Sequence, residues 1–270
     1  MAERTGIVYA THTFSPWWGC TKVSPGCSHC YAELVGARRG IKWGPGQPRV
    51  TVSEHTWNDP RRWARAAAKA GERRRVLVSM CDYLDVGAPE AWRQRFYQLV
   101  RDTAYALDWL LLTKRAERLE TVPEDVAARA WMGVSIENAD YLSRLDHLFR
   151  SHAARRWLSL EPLLGPLELS RILDPLCTCG FDGGSDSSLC NAHGSCGYPG
   201  RNRLNWIVAG AESGPGARPM HPQWDTRTRP ARPRRPNSSL RASLSCGVPP
   251  SAHDLRAPWR SFTQTKTWQA

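Results

Sequence analysis

The chain has 270 residues, enough to bury one good core, and its 41% hydrophobic and 23% charged residues are those of an ordinary globular protein. It carries no apolar run long enough to cross a bilayer and no secretory leader between Met1 and Tyr9, so a cytoplasmic protein without membrane partners is expected. The net charge of +12 is uneven: residues 225–270 hold nine Lys/Arg against two Asp/Glu, so the +7 of that tail leaves +5 on the first 224 residues, weak support for nucleic-acid binding by the folded body.

The first informative segment runs from Trp17 to Glu33 and holds Cys20, Cys27 and Cys30 within eleven residues. Gly19, Pro25 and Gly26 allow it to bend, so three sulfurs could converge on one point. Three thiolates leave a fourth coordination position open, as a reactive metal centre requires, whereas a structural zinc site is closed by four ligands. Two other readings stay open on spacing alone. A disulfide could join two of the three, which is rare in the cytoplasm, and zinc could take a fourth ligand from His29 or from elsewhere. Tyr31, directly after Cys30, either shields such a centre or simply packs.

Strands and helices then alternate. Asp59-Pro60 reads as a cap with proline at the first helical position, followed by Trp63, Ala66, Ala67 and Ala70 at helical spacing. Val76–Met80 is an apolar strand, and Trp92, Phe96, Leu99, Val100 and Leu107 mark a second helix. Strands follow at Trp109–Leu112 and Ala130–Val134. Asn138 caps a third helix with Tyr141, Leu142, Leu145, Leu148 and Phe149 on one face, and strands come again at Trp157–Leu160 and Trp206–Ala209. This alternation predicts an α/β chain built as a partial or irregular βα barrel over residues 1–224. Polar residues follow almost every strand: Cys81-Asp82, Thr113-Lys114-Arg115, Ser135 with Glu137 and Asn138, Glu161, and Glu212-Ser213. In a βα barrel these strand ends share the face where active sites lie. Gly210 to Gly216 is a glycine-rich turn that could approach a nucleotide, but it lacks the spacing of an ATP- or NAD-binding loop. Of the thirteen tryptophans, some are expected in the core and some could stack on a base.

Cys177, Cys179, Cys190 and Cys196, with His193 among them, lie in a Gly/Ser/Asp-rich insertion at about 174–203. Four thiols, or three with His193, could close a zinc site, with a second iron–sulfur cluster or free thiols as the alternatives. From residue 225 to 270 the chain is rich in Arg and Pro and loses all periodicity, as in Thr226 to Pro236, so it is expected to be disordered.

Long motifs in the first 224 residues resemble the phage-associated three-Cys-motif family of the gp thirty-seven / gp sixty-eight type. They are Gly19 to Glu33, Met80-Cys81-Asp82, Leu112-Thr113-Lys114-Arg115, Trp131 to Asn138, Leu158 to Pro166 and Gly210 to Pro219. That family resembles radical S-adenosylmethionine (SAM) enzymes in fold and in its clustered thiols, although six and two residues separate the cysteines here rather than three and two. The resemblance implies a 4Fe-4S cluster on Cys20, Cys27 and Cys30 with SAM on the open iron and a radical-SAM-like reaction; it supplies no substrate, and a nucleic acid or nucleotide is the expected one. With such a centre, the strand-end residues Glu137, Asn138, Glu161, Lys114 and Glu212 are candidates for binding SAM or an anionic substrate by their donor and acceptor chemistry, with Arg115 a companion of Lys114. Related proteins continue past Trp224 with a helix and a strand that do not occur here, so the tail reads as a frameshifted or divergent terminus, or else as a basic arm for nucleic acid. The alternatives to an enzyme are a zinc-stabilised nucleic-acid-binding protein and a cluster protein that acts through a partner enzyme.

Overall fold

The computed structural model describes residues 5–167, 204–213, 216–221 and 224. In chain order its elements are β1 (His12–Phe14), β2 (Trp17–Trp18), α1 (Tyr31–Ala37), β3 (Val50–Thr51), α2 (Glu54–Lys69), β4 (Arg74–Val78) and α3 (Glu90–Thr103), followed by β5 (Leu107–Thr113), α4 (Glu124–Arg129), β6 (Trp131–Ser135), α5 (Arg144–Arg150), β7 (Arg155–Leu160) and β8 (Trp206–Ala209). The expected insertion, with Cys177, Cys179, Cys190, Cys196 and His193, and the tail from 225 lie outside the described residues.

Apart from a short antiparallel pair, β2 with β3, the strands form one sheet in the order β1-β4-β5-β6-β7-β8, every neighbour parallel. A doubly wound sheet reverses its order part-way, whereas here each new strand is added on the same side. That winding is consistent with a partial βα barrel. No ladder joins β1 to β8 among the described residues, so these residues show no closed barrel. No helix among the described residues is long and apolar enough to cross a membrane.

The strands are buried on both faces, which is why they read as near-continuous apolar runs. One face of the sheet meets the helices. Val76, Val78, Trp109, Leu111, Met132, Val134, Leu158 and Leu160 pack there with Trp57 and Trp63 of α2, Phe96 and Leu99 of α3 and Leu145 of α5. Phe14 of the edge strand is locked into this layer by edge contacts with Trp57 and Trp109, at ring separations of 5.8 and 5.7 Å, and His12 stacks on Trp63 at 4.3 Å. The other face, inside the curve, is a smaller cluster of Leu77, Leu110, Trp157 and Val208, with Tyr9, Trp131 and Trp206 packed against it. Trp157 fits this narrow space because Gly133 lies opposite on β6: a Cβ there would sit 2.4 Å from the indole.

Three expectations are corrected. The first long helix begins at Glu54, capped by Ser53, whose hydroxyl accepts from the Thr56 N–H at 3.3 Å; Pro60 lies inside it. The missing proline N–H removes one rung, but Pro60 falls on the buried stripe Trp57, Pro60, Trp63, Ala64, Ala67, and burying that stripe outweighs the loss. Leu107 belongs to β5, opposite Arg74, and not to α3. Asn138 caps a single 3-10 turn, Ala139–Tyr141, and α5 starts only at Arg144. β1, β2, β3, α1 and α4 were too short to announce themselves in the sequence.

Gly133→Ala is expected to destabilise the fold by roughly 1–3 kcal/mol, because the added methyl forces the Trp157 indole from its place. Urea unfolding followed by tryptophan fluorescence measures this; an unchanged midpoint would contradict the packing described.

Candidate functional site

All six parallel strands end on one rim, and the cysteine segment lies across it. The segment follows β2, turns at Gly19 (φ 100°) and contains only a 3-10 turn, Pro25–Cys27, before α1 begins. Cys20, Cys27 and Cys30 are free thiols of intermediate exposure. The segment has almost no backbone ladder of its own, and side chains from the rim hold it at three places.

At Cys20 the hold comes from the ends of β4 and β5. Asp82, Asp85, Arg115 and Arg49 are all buried. Arg115 donates to Asp82 at 3.0 Å and to Asp85 at 2.9 Å, and Arg49 donates to the other Asp85 oxygen at 2.5 Å. Asp82 also accepts from the Thr113 hydroxyl and from the main-chain N–H groups of Leu84 and Lys114, at 2.8–3.0 Å. Further guanidinium donors reach the loop. Arg115 meets the Thr21 carbonyl at 2.7 Å and Cys20 Sγ at 3.5 Å, and Arg49 meets the Thr21 hydroxyl at 2.7 Å. Burial first, then the Asp82 charge, pushes the Cys20 thiol up to about 11, with Arg115 pulling the other way. A thiol so placed stays protonated at neutral pH unless a cation takes the proton's place. Cys81, at the end of β4, is a buried core residue.

The second hold is Glu137, after β6. It is fully buried; one oxygen accepts from the Ser24 hydroxyl at 2.7 Å, the other from Arg144 at 2.9 Å, and Lys114 Nζ lies 3.6 Å away. Gly26 lets the loop come this close, since a Cβ there would lie 2.4 Å from Glu137 Cγ. Glu212, after β8, makes the third. Arg218 donates to both of its oxygens, at 2.6 and 2.9 Å, and also reaches the Pro25 carbonyl at 2.8 Å; His29 Nδ1 lies 3.0 Å from Glu212 Oε2.

The other predicted residues are placed as follows. Lys114 Nζ donates to Ser135 Oγ at 2.8 Å. Glu161, at the end of β7, accepts from the Tyr9 hydroxyl at 3.1 Å and is half-buried. The Asn138 side chain is engaged with Asp140, accepting from its N–H and donating to its carboxylate. Tyr31 donates to the Ser79 carbonyl at 3.0 Å and keeps much of its ring exposed. Arg115 is turned inward to two aspartates and is not a free cation for substrate. Trp17, Trp57, Trp63, Trp109 and Trp157 are buried, so none of these five offers a face to a base.

Sequence reading did not find Ser24, Arg49, Asp85, Arg144 or Tyr9. Ser24 sits inside the cysteine motif, where its Pro-Gly neighbours drew attention to the turn instead. Arg49 and Tyr9 act on partners far along the chain, and no local spacing marks them.

A family model described as "Protein of unknown function (DUF5131)" matches residues 4–234. The chain belongs to that family. No curated protein matches it. Among solved structures, a double mutant of spore photoproduct lyase with bound AdoMet and dinucleoside spore photoproduct aligns with 58% of this chain and 47% of its own, at 13% identity and a TM-score of 0.42. This chain therefore spans less than half of that protein's length, and nothing is transferred from it at this level of similarity.

In chemistry the donor set of the DUF5131 chain suits a thiolate-held metal or cluster: three free thiols on one anchored segment, beside a rim of carboxylates and a lysine. Among the described residues, no group of three or more His, Cys, Asp or Glu side chains is gathered as a metal site.

The Arg218 bonds, opposed by burial and aided by His29, hold the Glu212 carboxyl at about 2. Because this lies below the unfolded value, the clamp stabilises fully above the ordinary carboxylate range and is lost as pH falls toward 2. Carboxyl NMR titration is expected to find Glu212 near 2 and to return it toward the ordinary range in Arg218→Met; equal values in both proteins would refute the clamp.

Proposed function

We propose that this chain is an iron–sulfur enzyme of the radical-SAM kind, with Cys20, Cys27 and Cys30 holding a 4Fe-4S cluster and SAM as co-substrate. The observation that carries the reading is the anchoring of a three-thiol segment, by charged and polar side chains, to the carboxyl ends of parallel strands in a partial βα barrel. Three thiolates leave one metal position for an exogenous ligand. When bound, such a cluster supplies one electron to a sulfonium, and the protein contributes orientation and the exclusion of water.

The chain's own residues divide the work. Arg115, Glu137 and Arg218 hold the segment down at Cys20–Thr21, Ser24 and Pro25. Glu161 and Lys114 are the rim residues assigned to the ligand: Glu161 accepts from an amino group or ribose hydroxyl, and Lys114 meets a carboxylate or phosphate. Glu137 and Glu212 act on the ligand indirectly, since arginines already occupy their oxygens. A nucleic acid or nucleotide substrate, in a phage or mobile-element setting, is part of the same proposal; the net charge of +12 lends it weak support, since only +5 of it falls on the first 224 residues.

Anaerobically purified protein is expected to contain about four irons and four acid-labile sulfides, absent from a Cys20→Ala/Cys27→Ala/Cys30→Ala variant, and to cleave SAM under reduction. Zinc without sulfide would overturn the reading in favour of a zinc-stabilised binding protein. Iron and sulfide without SAM cleavage would leave a cluster protein that works through a partner.

A further inference from the structure

The buried chain Arg49–Asp85–Arg115–Asp82 has no net charge, and its side chains are at most 9% exposed. Stability alone does not account for it, since buried ion pairs are often matched or exceeded by apolar residues of similar volume. Apolar residues could not aim donors. The two guanidiniums send three donors to two consecutive residues, at the Cys20 sulfur, the Thr21 carbonyl and the Thr21 hydroxyl. The other two thiols have nothing comparable. Among the described residues, the Cys27 sulfur meets only the Ser24 hydroxyl, at 3.8 Å, and Cys30 is the residue before α1, with no side-chain capping bond. The three-thiol set is therefore asymmetric.

We infer that Arg115 is a positioning residue that fixes Cys20 as the pre-set member of the thiol set. Arg49 supports it through Asp85 and Thr21. The inference rests on the proposed cluster for its second part: a hydrogen bond to a ligating sulfur stabilises the reduced centre, so the Arg115 donor makes its potential less negative.

The test separates the two parts. Arg115→Met, Arg115→Lys and Thr21→Val are compared with the parent, with far-UV circular dichroism confirming the sheet. In metal-free protein, native-state alkylation of Cys20 by iodoacetamide is measured against Cys27 in the same molecules and across pH, so that each variant's thiolate fraction is divided out; the corrected rate is expected to be about tenfold faster in Arg115→Met, with Arg115→Lys and Thr21→Val intermediate. In anaerobically loaded protein, the midpoint potential is expected to be more negative in Arg115→Met and partly restored in Arg115→Lys, a shift that a merely structural role would not produce. Equal protection of Cys20 in all the folded proteins overturns the inference. If Arg115→Met does not fold, unchanged alkylation in the other two variants overturns it equally. A parent without iron or sulfide defeats the cluster reading, while the alkylation pattern still decides the positioning role.

Discussion

Strand direction is the constraint on which the rest depends. Because all six strands of the main sheet are parallel and added in one sense, their carboxyl ends share a rim, and the residues after each strand become neighbours. The cysteine segment has a single 3-10 turn and could not order itself in water. It is ordered because Arg115 after β5, Glu137 after β6 and Glu212 with Arg218 after β8 reach it from three directions. One reversed strand would carry its polar end to the opposite rim and remove one of the three holds.

The work of the rim is divided between residues that carry chemistry and residues that carry position. Most of the conspicuous charges belong to the second group. Asp82, Asp85 and Glu137 have their oxygens taken up by arginines, hydroxyls and main-chain N–H groups. Burying so many charges is tolerable only when each is met by an opposite charge or several donors, and here each is. Among the thiols, Cys27 and Cys30 are less tightly engaged than Cys20.

Much of the fold was legible because a strand buried on both faces is an apolar run, and the runs at β4 to β8 stand out between helices. β1 did not stand out, since His12-Thr13-Phe14 is three residues long and is held by stacking on α2 residues far along the sequence. The false start at Asp59-Pro60 followed a sound local rule; the buried tryptophans on either side overrode it. At the site, the thiols and strand-end carboxylates were visible as residue types, but their duties were not. Glu137 and Glu212 look like ligand-binding carboxylates until Ser24, Arg144 and Arg218 are seen on their oxygens. Those partners come from other turns and strands, and sequence spacing does not encode such meetings.

Tyr9 has a consequence of a different kind. It lies before β1, yet its ring meets Trp206 of β8 at 5.4 Å and Trp157 at 6.3 Å, and its hydroxyl bonds Glu161. The two edges of the sheet are thus joined by an aromatic latch where a closed barrel would have a main-chain ladder. Each aromatic contact contributes only about 0.5–1.5 kcal/mol, and none obliges a buried peptide group to lose its partner when it parts. Among the described residues, then, the two edges meet through side chains, which can part without unzipping a strand.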